Sequence, residues 1–307
     1  MVKPGTERRS GQVWPTKTVV LVVNVRRRRA AELAQKTAEW LIAAGHEVRV
    51  PADDAADLGL DKYRCGPDDL APGADLAVSM GGDGTILRTV GLVAADGVPV
   101  LGVSLGRLGY LANVEPDDLQ DAFGRFVGGD FTLDERLLLR VEVVPGTEAI
   151  EQPDAGARHG VHLALNEAVV EKPSPGQVVR VAVTVDGGFF TSYAADGMIV
   201  ATPTGSTAYA FSARGPIIAP AHRCMLLSPV SPHMAFDRSM VFGAEQSLRL
   251  EVLDRPARLI IDGRELGSVG PGASITCTAA EETARFVVVT PRDFYGVLKA
   301  KFGLADR

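Results

Sequence analysis

Apolar and polar positions are arranged in two different ways along this chain, and the change falls near residue 136. Before it, apolar strand-like runs ("TVVLVVN", "EVRVP", "DLAVSM", "VPVLGVSLG") alternate with helix-like segments such as "RAAELAQKTAEWLIAAG" and "TILRTVGLVAADG". Strands alternating with helices imply βα units on a parallel sheet. In the first helix, Leu33, Ala34, Thr37, Ala38, Leu41 and Ile42 predict one buried face.

After residue 136 the helical period nearly vanishes and β-rich runs take over: "RLLLRVEVV", "HLALNEAVVE", "VVRVAVTVDGGFFTSY", "SLRLEVL", "ARLIIDG" and "ARFVVVT". Asp186-Gly187-Gly188 and Asp262-Gly263 lie between such runs, as hairpin turns require. The tail "PRDFYGVLKAKFG" reads as a helix that packs back on the first half. The expected architecture is a Rossmann-like α/β domain with a parallel sheet over residues 17–135 and an all-β substrate domain over 136–280. A C-terminal segment, 281–307, returns to the first domain.

Composition narrows the partners. With 307 residues and 46% hydrophobic content the chain can bury a sizeable core. A formal net charge of −6 argues against nucleic acid as the main partner, since phosphate binding needs a dominant basic face. No apolar run approaches the roughly 20 residues that span a bilayer, and "MVKPGTERRSGQVWPTK" lacks the apolar centre of a signal peptide, so no membrane partner and a cytoplasmic location are expected. Cys65, Cys224 and Cys277 are far apart and form no CxxC pair, so they read as reduced, mostly buried thiols. His159 and His162 have no third or fourth ligand nearby in sequence, which favours a loop or strand edge over a metal site.

The candidate chemistry sits in "LAVSMGGDGTILRTV". Asp75 to Met80 reads as a central strand, and Gly81-Gly82-Asp83-Gly84-Thr85 as the turn at its carboxyl end, the edge of a parallel sheet where ligands bind. Glycines there allow positive φ and close approach of backbone N–H groups to an anion, and Thr85 is expected to cap a helix starting at Ile86. The bland alternative is a tight strand-to-helix connection in which Asp83 caps the helix. An aspartate beside a phosphate site is repulsive unless it takes a proton from an attacking hydroxyl or organises Mg²⁺ on the phosphates, and both roles belong to phosphoryl transfer. Neither a Walker loop nor a G-x-G-x-x-G fingerprint is present.

Four stretches, "GGDGTILR", "LGRLGYLA", "LNEAVVEK" and "DGMIVATPTGSTAYAFSARGPI", occur in an order that resembles the NAD kinases, which share the GGDG turn with diacylglycerol/sphingosine-type lipid kinases and 6-phosphofructokinases. The resemblance implies a kinase that phosphorylates the 2′-hydroxyl of the adenosine ribose of NAD from ATP or polyphosphate. Mg²⁺ would arrive with the nucleotide, and the assembly would be a homodimer or homotetramer. It implies Asp83 as catalytic base, with Gly81, Gly82, Gly84, Thr85 and Arg88 near the substrates. Asn166 and Glu167 would hold the ribose; Thr207, Ala208, Tyr209 and Ser212 would line the adenine pocket with Tyr110. Asp196 would reach the dinucleotide across a subunit interface, and Arg180 would lie on the substrate side. From the residues alone, Asn166-Glu167 could equally be a polar pair at a strand end and Tyr209 ordinary core packing.

Two rival functions stay open in the sequence. A lipid or sugar kinase would keep GGDG without needing the Asn166-Glu167 pair. "GVSLG" fits a nucleophile elbow with Ser104, although the following "RLGYLANVEP" is a poor helix. The four arginines Arg26 to Arg29, at the start of the first helix, read either as a polyanion contact or as a solvated cluster.

Overall fold

The computed structural model describes residues 15–106, 109–112, 114–146, 160–291 and 293–304. The residues before Pro15, His159 and most of the stretch "PGTEAIEQPDAGAR" lie outside the described residues.

The first part runs β1 (Thr18–Val23), α1 (Arg28–Ala43), β2 (Glu47–Pro51), α2 (Ala52–Leu58), β3 (Arg64–Cys65), α3 (Pro67–Leu70), β4 (Leu76–Gly81), α4 (Asp83–Val93), β5 (Val100–Ser104) and α5 (Leu119–Val127). Its strands are parallel in the order β3-β2-β1-β4-β5. Strand alternation distributes β1 between two cores. Val19, Leu21 and Val23 pack with α1, α2 and α5, while Val20 and Val22 pack with α3 and α4. Both faces of the sheet are therefore covered, which is why the central strands β1, β4 and β5 are nearly apolar throughout.

Helix α1 departs from expectation on one side of its stripe. Ala30, Ala34, Thr37, Ala38 and Leu41 are buried, Leu33 is only partly buried, and Ile42 is 42% exposed. The buried positions follow a narrow i, i+4, i+7 line starting at Ala30, and Ile42 lies one position beyond it.

The second part comprises β6 (Thr132–Val144), β7 (Gly160–Ala164), β8 (Glu167–Glu171), β9 (Val179–Val185), β10 (Gly188–Ala195), β11 (Gly197–Ala201), α6 (Tyr209–Ser212), β12 (Cys224–Val230), β13 (Met240–Gly243), β14 (Leu248–Val252), β15 (Ala257–Ile261), β16 (Arg264–Val269), β17 (Ser274–Val288) and α7 (Phe294–Phe302). A six-stranded sheet, β13-β12-β11-β8-β15-β16, faces the β6, β7, β9, β10, β14 and β17 region of the other sheet across a core that includes Leu139, Tyr193, Met198, Leu227, Leu250 and Cys277. Both expected hairpin turns form. Asp186 and Gly187 have φ of 49° and 82°, and Asp262 and Gly263 have 49° and 77°, the paired positive angles of tight two-residue hairpins.

Two features were not visible in the pattern. "HLALNEAVVE" is not one strand: β7 pairs with β6, whereas β8 lies between β11 and β15, so the chain changes sheets at Leu165-Asn166. The change of texture near residue 136 is also not a break in hydrogen bonding. The long β17 pairs antiparallel with β6 and β14 and parallel with β5 through Phe286 and Val100, so one 11-stranded sheet runs through both parts.

Candidate active site

Strand order reverses between β1 and β4, and the crevice at such a switch point is the ligand edge of an open parallel sheet. The GGDG turn is placed there. Gly82 is the N-cap of α4, which starts at Asp83, and its first amides have no intrahelical acceptors.

The positive φ expected of the glycines is not what they supply. None of Gly81, Gly82 and Gly84 has positive φ. A Cβ on Gly81 would lie 2.1 Å from Thr85 Oγ1 and 3.2 Å from Asn24 Cβ, so this position is glycine for close packing. At Gly82 and Gly84 nothing lies within 4 Å, which leaves their backbone open to a ligand. Thr85 does not cap a helix beginning at Ile86. It sits inside the first turn of α4, buried, with its amide donating to the Gly82 carbonyl.

Asp83 does not cap the helix either. Its Oδ2 accepts from the Tyr110 amide at 3.0 Å and its Oδ1 from the Leu111 amide at 3.2 Å. A Cβ on Gly109 would lie 2.2 Å from Oδ1, so the glycine of the "GYL" stretch is what lets the carboxylate seat on that backbone. Lys301 of α7 lies 3.8 Å from Oδ2 and 3.9 Å from the centroid of the Tyr110 ring. Partial burial, and then the charge of Asp83, raise the pKa of the Tyr110 phenol. Lys301 was not identified from sequence; the only signal was a basic residue in the last turn of an expected helix.

Arg88 lies one helical turn beyond Gly84, and its guanidinium is already engaged. It grips the buried Asp54 at 2.6 and 3.0 Å, while Asp54 also accepts from the Val23 amide at 3.0 Å. This ties α4, α2 and the end of β1 together, with the arginine's charge matched locally.

The Asn166-Glu167 turn is held from below. Asp262, read from sequence as a hairpin residue only, accepts the amides of Leu165, Asn166 and Glu167 at 2.7, 2.7 and 3.0 Å. From the other side, the Thr202 amide donates to the Asn166 carbonyl at 2.8 Å, and a Cβ on Gly205 would lie 2.1 Å from that same oxygen. The Glu167 carboxyl accepts from the Tyr209 amide, yet burial, reinforced by the negative charge of Asp262, pushes its pKa up to about 8. Its Oε2 is buried without a hydrogen-bond partner. Burial also raises the pKa of Asp262, against the pull of its three amides.

The remaining positions divide. Thr207 Oγ1 donates to the Thr204 carbonyl, and Ala208 precedes α6. The Tyr209 hydroxyl donates to Glu171, which also receives Arg258. Asp196 pairs with Lys172 at 2.7 Å, and Ser212 is exposed at the end of α6. Arg180 is exposed on β9 and pairs with Asp254 at 3.5 Å, so none of these contacts carries it toward Asp83. Ser104 is buried at the end of β5, and the described residues that follow are bends rather than a helix, so no nucleophile elbow forms.

Packing joins the two turns. Leu165, next to Asn166, shares an apolar cluster with Ile86, Leu111 and Tyr110. Arg136, chelated by Asp134, donates to the Thr204 hydroxyl at 3.4 Å. Tyr110, Leu111, Asp134 and Arg136 line one cavity with Phe294 and Val297 of α7.

Fold and site together define a phosphotransferase of the GGDG type. Residues 19–131 match the ATP-NAD kinase N-terminal domain and residues 165–289 the ATP-NAD kinase C-terminal domain. The NAD kinase of Heliobacterium modesticaldum is 35% identical over 288 residues, covering 92% of this chain and 98% of that protein. NAD kinase 1 of Streptomyces avermitilis is 35% identical over 319 residues, covering 94% and 87%. Among solved structures, yeast NADH kinase complexed with NADH superposes with a TM-score of 0.85 at 23% identity, covering 95% of this chain and 89% of that one. An NAD kinase from Archaeoglobus fulgidus in complex with ATP gives 0.64 at 27% identity, covering 93% and 96%. The chain belongs to the NAD kinase family.

Proposed function

We propose that the protein transfers the terminal phosphoryl group of ATP to the 2′-hydroxyl of the adenosine ribose of NAD, forming NADP. One observation carries this reading. A partly exposed carboxylate, Asp83, is fixed by two backbone amides at the switch point of the sheet, and the Asn166-Glu167 turn shares its packing cluster. The two amides hold the carboxylate in one orientation, and its remaining lone pairs can accept the hydroxyl proton.

Asn166 and Glu167 grip the ribose in this scheme. With a pKa of about 8, Glu167 is largely protonated at neutral pH, so its carboxyl can donate as well as accept, and a ribose hydroxyl supplies the partner its Oε2 lacks. The open backbone at Gly82 and Gly84 and the α4 amides receive phosphate. Thr207, Ala208, Tyr209 and Tyr110 flank the base. Arg88 acts indirectly, by stapling α4 to β1 rather than by offering a free charge to phosphate.

Mg²⁺ carried on the donor phosphates would add charge neutralisation. The hard oxygen donor on the protein side is Asp83, and no group of three or more His, Cys, Asp or Glu among the described residues could hold a metal ion. No helix among the described residues is long and apolar enough to cross a membrane. We place the reaction in the cytoplasm and the protein in a homo-oligomer, either a dimer or a tetramer. Asp196 of one copy would complete the dinucleotide site of another; within its own chain it pairs with Lys172.

The test is NADP formation from NAD with ATP, repeated with NADH as acceptor and inorganic polyphosphate as donor, with and without Mg²⁺. Folded protein that makes neither NADP from NAD nor NADPH from NADH under any of these conditions would overturn the reading.

A further inference from the structure

Helix α7 is built to a defined position. Asp293 caps it, its side chain accepting from the Tyr295 and Gly296 amides at 3.0 Å each, and Gly303 ends it with φ 60°. Val297 is buried, and Phe302 meets Phe211 of α6 with ring centroids 5.0 Å apart. The helix therefore touches both the segment bearing Tyr110 and the segment bearing Tyr209. Lys301, in its last turn, is directed at Asp83.

The geometry of that lysine is informative. At 3.8 Å from Oδ2 the ammonium attracts the carboxylate but is too distant to give it a hydrogen bond. The Tyr110 ring, 3.9 Å from Nζ, holds the cation through its π face. That arrangement sets the charge beside the carboxylate while leaving it N–H donors for a third party. A triphosphate approaching Asp83 brings several negative charges to an acidic site, and Arg88, the cation the GGDG helix itself supplies, is taken up by Asp54.

We infer that Lys301 is a catalytic residue whose ammonium binds oxygens of the phosphoryl group while it passes to the acceptor hydroxyl at Asp83. The inference rests on the kinase reading above. In the step, the acceptor oxygen forms a bond to the terminal phosphorus. The bond from that phosphorus to its bridging oxygen breaks, and ADP leaves with the electron pair. The hydroxyl proton goes to Asp83, and Lys301 remains an ammonium throughout.

The experiment compares Lys301→Ala, Lys301→Arg and Lys299→Ala with the unaltered protein in steady-state kinetics, thermal melts and rescue by added methylammonium. Lys301→Ala is expected to lower kcat by about 10- to 100-fold with little change in the KM for NAD, since the contact matters most as charge develops. Lys301→Arg and methylammonium should each restore part of the rate, and Lys299→Ala should resemble the unaltered protein. An unchanged kcat in Lys301→Ala overturns the inference. A raised kcat also overturns it, and shows that the lysine obstructs the site. A loss that follows the melting temperature and responds to neither arginine nor methylammonium overturns it in favour of a structural role. If the unaltered protein makes no NADP, it is the kinase reading that fails.

Discussion

Two turns of this protein, joined through one apolar cluster, hold carboxyl groups in opposite environments. Asp83 is partly open to solvent, and the protein groups that hold it are two backbone amides and a distant ammonium. Glu167 is buried above a second, partly buried acid, Asp262, with one of its oxygens unsatisfied. Reachability separates the roles proposed for them. A group that takes a proton from an incoming hydroxyl must meet it without reorganising, whereas a group that grips a sugar gains from a dry, mostly neutral setting where a hydrogen bond is stronger.

The sharpest way to break this contrast is Asp83→Asn. The amide keeps the shape but cannot take the proton, and its NH₂ must face one of the two amide donors. Turnover should fall about 10²- to 10⁴-fold, with a stability loss of only about 1 kcal/mol for the lost hydrogen bond. Near-full turnover in a folded variant would remove Asp83 from the role of base.

Glu167→Gln tests the other turn, through binding and through pH. The KM for NAD should rise roughly tenfold, the cost of about one neutral hydrogen bond, while ATP binding stays nearly unchanged. The pH effect has a defined sign. Glu167 keeps its proton in the folded protein up to about pH 8 but loses it near 4.5 when unfolded. Its contribution to stability is therefore fully present below about 4.5 and is lost as pH rises towards 8. Glutamine has nothing to ionise, so relative to the unaltered protein the variant should gain a few kcal/mol between pH 5 and 9, each pKa unit being worth about 1.4. Urea unfolding at pH 5, 7 and 9 measures it. Parallel stability profiles would mean Glu167 is not buried as a neutral acid.

A matched glycine pair sharpens the comparison in smaller steps. Gly205→Ala drives a Cβ into the Asn166 carbonyl, so the ribose turn should shift and stability fall by about 1–3 kcal/mol. Gly84→Ala meets nothing within 4 Å, and should fold normally while raising the KM for the phosphate donor by crowding its approach. Equal melting temperatures for the two variants would show that Gly205 is not packed as described.

Sequence reading reached the parts of this molecule whose causes are local. The parallel strands around β4, the hairpin turns at Asp186-Gly187 and Asp262-Gly263, and the placing of Asp83 just past a strand end all follow from short-range pattern. What stayed hidden depends on contacts across the chain. Nothing in "HLALNEAVVE" marks the change of sheet at Leu165-Asn166, because both halves are equally apolar and only their partners differ. The second duty of Asp262, and the reach of Lys301 back to Asp83, join residues distant in sequence. Glycine roles were misassigned at Gly81 for the same reason: the clash that forbids a side chain there comes from Thr85 and Asn24, not from φ.

The smallest expected effect concerns the arginines at the end of β1. The Asn24 amide donates to the Met80 carbonyl at 3.0 Å, so this end of β1 lies against the end of β4, at the same edge as Asp83. Helix α1 starts without an acidic residue in its first turn and without a side-chain cap, an arrangement the helix dipole disfavours. Arg26 and Arg27 are both exposed, but they are not equivalent. Arg27 donates to the Leu105 carbonyl at 3.0 Å and packs against Gly106, so it steadies the segment leading to the Tyr110 and Leu111 amides that seat Asp83. Arg27→Gln should therefore lower kcat a few-fold, because loosening that segment loosens the base. Arg26→Gln should leave kcat unchanged and raise the KM for the donor about two- to fivefold at low ionic strength, the range of a single exposed charge contact. The increase should be larger for polyphosphate than for ATP and should disappear at high salt, where exposed charges are screened. If both variants shift only the donor KM, the Leu105 contact has no bearing on Asp83. If neither shifts anything at low salt, the cluster is a solvated surface.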